Sequence, residues 1–128
     1  MSHQPLIEQY FEACTAGTAA DIESCFTPDA VVFDTNHKPV RRAGGIADFW
    51  LQIRAQWAGA VWRVDSCVSE GDSAAIEWTM TGTHDGKNFS IHGSEHYRVT
   101  QDRIAEIRQY WTFNRDNPNT GLVDFPYE

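Results

Sequence analysis

The sequence predicts one small α+β domain in which three helices come first and a curved, antiparallel sheet then encloses them around an apolar pocket. Apolar residues recur at helical spacing through the first half of the chain, and from Ala60 onward they alternate with polar residues between evenly placed turn signals. Helices followed by strands indicate packed layers rather than alternating βαβ units. A third observation concerns the pocket: one acid, Glu95, falls in phase with the apolar face of a strand.

Leu6, Ile7, Tyr10, Phe11 and Cys14 form the inward stripe of a first helix over Pro5 to Cys14, which Gly17 can end. Thr18 is the N-cap of a short second helix carrying Ile22, Cys25 and Phe26, and Thr27-Pro28-Asp29 then turns the chain. Ala30 to Asp34 reads as a strand, and Thr35 to Gly45 as a loop. Ile46, Phe49, Trp50, Ile53 and Trp57 mark a third helix of about three turns. Turn signals at Glu70-Gly71-Asp72, Asp85-Gly86-Lys87 and Gln101-Asp102 then separate four long strands into a meander whose length lets the sheet twist and wrap. The segment from Asn114 to Glu128 is polar and turn-rich but carries Leu122, Val123, Phe125 and Tyr127. It is expected either to dock on its own pocket mouth or on a second subunit, or to stay unstructured.

At 128 residues the chain supports one domain, and 41% hydrophobic residues with five Trp and seven Phe supply a sizeable core. A formal charge of −8 and the lack of any basic run argue against nucleic acid or an anionic membrane as partner. The three cysteines are odd in number and lack C-x-x-C spacing, which suggests neither a disulfide framework nor a zinc cluster and fits a reducing compartment. Without a signal-like N-terminus or a long apolar run, the expected location is the cytoplasm.

Glu95 shares its strand face with Phe89, Ile91, Gly93, Tyr97 and Val99, while Ser90, His92, Ser94, His96 and Arg98 point the other way. A carboxylate on an apolar face must be paired or must hold its proton, because burial disfavours the charged form. The alternatives are a bulge that turns it outward or neutralisation by an Arg such as Arg63 or Arg108. Asp34 closes the strand Val31-Val32-Phe33-Asp34 where it meets a loop, a position from which a general base can face a cavity; an ordinary turn-forming Asp is the competing reading. Tyr10 can aim its hydroxyl into the pocket or simply pack. Trp50, Trp57, Trp62, Trp78 and Trp111 read as core first and pocket wall second, and Tyr97 belongs to the same apolar face.

His92-Gly93-Ser94-Glu95-His96 matches the H-x-x-E-H zinc pattern by letter. On a strand, however, residues four apart are separated by ~13 Å, too far to share one metal, so no metal is expected. His92 remains a candidate for pocket access, and His37 in the loop is a further candidate acid or base. No G-x-S-x-G, Walker or G-x-G-x-x-G sequence occurs, so neither a serine nucleophile nor a nucleotide cofactor is supported.

The two-helix start, the segment Phe-Thr-Pro-Asp-Ala-Val-Val-Phe-Asp (26 to 34), the third helix, and the run from Glu95 through Arg103-Ile104-Ala105-Glu106-Ile107-Arg108-Gln109-Tyr110-Trp111 resemble the SnoaL-like branch of the nuclear transport factor 2 superfamily. The resemblance covers residues 4 to 113, leaving 114 to 128 as a tail. It implies a cone-shaped barrel, cystatin-like in its curved mixed, mostly antiparallel sheet around three N-terminal helices, and commonly a homodimer. Within that superfamily the pattern is most similar to ketosteroid isomerases. Their helix Tyr, strand-end Asp and late-strand acid align with Tyr10, Asp34 and Glu95, and a pocket-wall Trp aligns with Trp111. Glu in place of the usual Asp at 95, with His37 and His92 nearby, leaves room for the chemistry of dehydratases and polyketide cyclases. An epoxide hydrolase is disfavoured because its Asp-Arg-Asp arrangement has no clear counterpart.

The expected function is a cofactor-free enzyme moving protons on a small hydrophobic carbonyl compound, as isomerase, cyclase or dehydratase. Asp34 is the base, Tyr10 and Glu95 are oxyanion donors, and His92 or His37 is a second proton carrier; Trp50, Trp62, Trp78, Tyr97 and Trp111 contact substrate. The rival is a binding or accessory protein that uses the same pocket without chemistry.

Overall fold

The computed structural model describes residues 2–112, 114, 116–117 and 119–127; Phe113, where the expected core ends, and Glu128, the end of the tail, lie outside the described residues. Helix α1 (Gln4–Ala16) starts with Pro5 in its first turn, where a missing N–H costs nothing, and buries Ile7, Tyr10, Phe11 and Cys14. Helix α2 (Ala19–Glu23) carries the predicted cap as a reciprocal box. Thr18 Oγ1 accepts from the Asp21 N–H at 3.2 Å, and the Asp21 carboxylate accepts from the Thr18 N–H at 2.8 Å. Helix α3 (Ala43–Gln56) begins at Ala43, inside the segment expected to be loop, and buries Ile46, Ala47 and Trp50.

The strands are β1 (Phe26–Asp34), β2 (Val40–Arg41), β3 (Ala58–Glu70), β4 (Ser73–His84), β5 (Lys87–Thr100), β6 (Arg103–Tyr110) and β7 (Asn119–Thr120). They form one curved, open mixed sheet in the order β2-β1-β6-β5-β4-β3, with the short β7 beside β5. The β3-to-β6 meander is antiparallel, and β1 inserts parallel to β6. Two of its turns use residue pairs with positive φ, Asp85-Gly86 and Gln101-Asp102, as tight two-residue hairpins of right-twisted strands require. Helices α1 and α3 fill the concave face, α1 against β3 and α3 against β1.

Two expectations are corrected here. Thr27-Pro28-Asp29 does not turn the chain but lies inside β1. The pairing of β1 with β6 breaks register between Phe26 and Val31, and such an irregularity accommodates a proline that cannot donate to the ladder. The described residues of the tail do not line the pocket. Its β7 extends the sheet along the first half of β5, where β6 no longer pairs, and Tyr127 stacks on His92 on the convex face. Among the described residues no helix is long and apolar enough to cross a membrane.

Candidate active site

Asp34 ends β1 with its side chain only 1% exposed. Its Oδ1 accepts from the Asn36 backbone N–H at 2.7 Å and from Asn36 Nδ2 at 3.2 Å, and Oδ2 accepts from the Trp111 indole N–H at 2.8 Å. The loop is clamped to the end of β6 as well: Thr35 Oγ1 donates to the Trp111 carbonyl at 2.6 Å. A carboxylate at a strand end is thus held by donors from two directions. The turn-forming role of Asp34 is real, since Asn36 closes it, and it coexists with a place on a cavity wall.

That cavity has a volume of about 440 Å³ and is walled by Phe49, Trp50 and Ile53 of α3, Trp57 just after it, Trp62 of β3, Trp78 and Met80 of β4, and Trp111. Asp34, Asn36, His37, Gln56, His84, Asp85 and Gln109 are its polar members. Its size falls within the usual range for small-molecule sites, and an aromatic wall with polar groups at defined positions is what such sites show. His37 packs against Phe49 with ring centres 4.7 Å apart and the planes tilted by 46°. Its Nδ1 lies 2.8 Å from the Lys38 carbonyl, which can only accept, so Nδ1 donates there, and Nε2 faces the Asp34 carboxylate, 3.5 Å from Oδ2.

Glu95 points inward as its phase predicts and is 3% exposed. Arg63 pairs instead with Asp65 at 2.8 Å, and Arg108 lies beside Glu106. Burial therefore pushes the Glu95 carboxyl up to about 8, against the Tyr97 hydroxyl, which donates to Oε1 at 2.6 Å and lowers it; the Asp34 charge adds to the rise. Tyr10 is 2% exposed and its hydroxyl is held well above its ordinary value, first by burial and then by Cys14 and Glu95. The hydroxyl bonds to the Cys14 thiol one turn along the helix, and burial likewise drives that thiol far up.

Tyr10 and Glu95 do not open onto the large cavity. They line a separate void of about 10 Å³, room for roughly one water. Trp50, Trp62, Trp78 and Gln109 line both spaces and so form the wall between them. Gly93 makes this wall possible. A Cβ there would meet Trp78 Cζ2 at 2.5 Å and Trp111 Cβ at 2.9 Å, so only glycine lets the two indoles close on the strand.

The fold therefore brings together Asp34, His37, Trp50, Trp62, Trp78 and Trp111, and leaves Tyr10 and Glu95 one side-chain layer behind them. Tyr97 lies deeper again, spent on Glu95 and absent from the cavity wall. His92 does not line this cavity. It lies in β5 on the face opposite Glu95, with Tyr127 stacked on it at 3.5 Å. Thr79 Oγ1 gives its proton to Asp65 and must accept from His92 Nδ1, while Ser90 Oγ donates to Nε2 at 3.1 Å. Both ring nitrogens are committed, and burial lowers the ring's proton affinity. Strand alternation is the physical reason, because an even-numbered residue of β5 cannot share a face with Glu95.

Sequence reasoning passed over Gln109 and Asn36. Gln109 carries the signal that marked Glu95, a polar residue in phase with Ile107 and Trp111 on an inward face. Asn36 carries none beyond its place in a turn.

A SnoaL-like domain model matches residues 7–107. The chain belongs to the SnoaL-like domain family. Among solved structures, the fold is similar to that of a hypothetical protein from Catenulispora acidiphila with a ketosteroid isomerase-like fold in complex with trimethylamine (TM-score 0.78, 15% identity, covering 84% of this chain and 85% of that one). A protein of unknown function with a cystatin-like fold from Methylobium petroleophilum has TM-score 0.77 and 26% identity over 98% of this chain and 86% of that one. A Jannaschia protein assigned as a SnoaL-like polyketide cyclase has TM-score 0.74 and 13% identity over 84% and 83%. No curated protein matches the chain. The domain thus has the cone-shaped α+β fold of ketosteroid isomerase-like and SnoaL-like proteins.

Proposed function

We propose that this SnoaL-like domain is a cofactor-free enzyme that moves a proton on a small, largely apolar carbonyl compound, with Asp34 as general base. The observation that carries the reading is the Asp34 carboxylate, buried on the wall of an aromatic cavity of about 440 Å³ and oriented by Asn36 and Trp111. A carbonyl compound seated against the tryptophans would lose its α-proton to Asp34. The C–H bonding pair becomes the enolate double bond, and negative charge develops on the carbonyl oxygen. His37 Nε2, 3.5 Å from the carboxylate, then takes or returns the proton. Glu95, which holds its proton at neutral pH, and Tyr10 lie behind the wall and do not touch that oxygen while the tryptophans stay closed. The trimethylamine held by the Catenulispora relative supports a small-molecule ligand in this fold. Isomerisation, cyclisation and dehydration all begin with this step. Among the described residues no arginine lines the cavity, which argues against epoxide hydrolysis by an Asp-Arg-Asp set.

A second reading, small-molecule binding without chemistry, is favoured by one observation: the Tyr10 hydroxyl bonds to Cys14 and the Tyr97 hydroxyl to Glu95, so the deep donors are engaged within the protein. Asp34→Asn separates the two. Loss of turnover in a panel of β,γ-unsaturated ketones and β-hydroxy ketones, with ligand affinity within about twofold, supports the enzyme; unchanged turnover removes Asp34 as base. The proposal extends to a cytoplasmic homodimer, with exposed Tyr110, Leu122, Val123 and Phe125 as the contact, which analytical ultracentrifugation tests.

A further inference from the structure

Gln109 stands between two acids that are far apart in sequence. On β6 it is the register partner of Asp34 in β1 on one side and of Glu95 in β5 on the other. Neighbouring strands run ~4.8 Å apart, so one carboxamide occupies the row between base and buried acid. Gln109 is 6% exposed, and its Oε1 has no hydrogen-bond partner in the protein. The same holds for the indole N–H groups of Trp50 and Trp78, residues 8% and 2% exposed. Buried polar groups nearly always find partners, so three orphans on one wall need a reason. Their neighbours do not satisfy them. The Asp34 oxygens receive Asn36 and Trp111, and Glu95 Oε1 receives Tyr97.

The wall is therefore two donors and one acceptor, on side chains that face both the cavity and the small void. Two N–H groups require an acceptor oxygen, and the carboxamide oxygen requires an N–H or O–H. A single ligand edge with a carbonyl beside a donor meets both needs. Because the orphaned atoms are covered by the wall itself, that edge has to enter between the tryptophans, and the void behind them supplies the space for its oxygen.

We propose that Gln109, Trp50 and Trp78 are the specificity-determining end of the site, and that the substrate is a planar, largely apolar molecule bearing a carbonyl oxygen and an N–H or O–H donor side by side on one edge. This rests on the cavity being the functional site and adds what it recognises. The carbonyl oxygen sits between the two indole N–H groups, the neighbouring donor bonds Gln109 Oε1, and the rest of the molecule stacks in the aromatic cavity.

The test uses 2-quinolone, whose lactam presents C=O and N–H on one edge, and coumarin, in which a ring oxygen replaces that N–H at the same shape. Titrated into the full-length protein by tryptophan fluorescence, 2-quinolone should bind at least about tenfold more tightly than coumarin, because coumarin leaves Gln109 Oε1 facing a second acceptor. Gln109→Leu should bring the two within about twofold. In the wild type, the Trp50 and Trp78 indole proton resonances should move downfield with 2-quinolone. Equal affinity of the wild type for the two compounds, or no binding of either below millimolar concentration, overturns the proposal. Asp34→Asn should retain the preference for the lactam, so a failure of the base assignment and a failure of this recognition appear in different measurements.

Discussion

The Trp111 indole donates to Asp34 Oδ2 at 2.8 Å across 77 residues of chain, and this bond fixes how a carboxylate at the end of β1 faces the cavity. Asn36 holds the other oxygen from within the loop, so Trp111 is the contact that ties the loop acid to the sheet. Trp111→Phe keeps the aromatic wall and removes the donor. A hydrogen bond to a charged group is worth about 1.5–3 kcal/mol, so turnover should fall by roughly 10- to 100-fold with KM changed by less than about threefold. Steady-state kinetics on any accepted substrate checks this.

Glu95 makes stability fall as pH rises. Its carboxyl titrates at an ordinary value of 4.5 when unfolded and at about 8 when folded, so between these the folded chain binds more protons than the unfolded one. The stability contribution is full below about 4.5 and is lost as pH rises through about 8. Glu95→Gln should flatten this slope and gain a few kcal/mol on the wild type at pH 9 in urea unfolding. Equal slopes for the two proteins between pH 5 and 8 would show that Glu95 is not protonated in the fold.

Tyr97 works against that rise, because its hydroxyl favours the charged carboxylate through the 2.6 Å bond. In Tyr97→Phe the Glu95 titration, followed by carboxyl NMR or difference infrared spectroscopy, should move above its wild-type midpoint. A downward move would mean that burial is not the dominant influence.

Gly93→Ala puts a methyl 2.5 Å from Trp78 Cζ2 and 2.9 Å from Trp111 Cβ. Overpacking of this kind costs about 1–3 kcal/mol, so the melting temperature should drop by roughly 5–10 °C. The near-ultraviolet circular dichroism of the Trp pair, T-shaped at 6.1 Å, should change at the same time. An unaltered spectrum would show that the indoles do not close over Gly93.

Thr18→Ala removes one half of the reciprocal cap of α2 and should cost about 1 kcal/mol in chemical denaturation, with no effect on ligand binding. Binding loss beyond the stability change would mean that α2 positions the cavity.

Local patterns carried the elements of this fold, because each depends on a short stretch of chain. The stripe from Ile7 to Cys14, the Thr18–Asp21 cap, the Asp85-Gly86 and Gln101-Asp102 turns and the inward phase of Glu95 all follow from periods of 3.6 or 2 and from turn chemistry. A candidate acid on an apolar strand face was readable for the same reason, as was the extended segment that carries His92 and His96. Pairing between strands distant in sequence was not readable. Parallel insertion of β1 beside β6 sets Asp34 next to Gln109 and carries Trp111 to the carboxylate, and no local period encodes which distant strand becomes a neighbour. Tertiary packing also decided that Trp50, Trp62, Trp78 and Gln109 divide Tyr10 and Glu95 from the main cavity, that His92 is engaged with Thr79, Ser90 and Tyr127 on the convex face, and that the tail extends the sheet. Side-chain direction follows from the strand's own alternation, whereas the walls of a cavity depend on which long-range contacts close first around it.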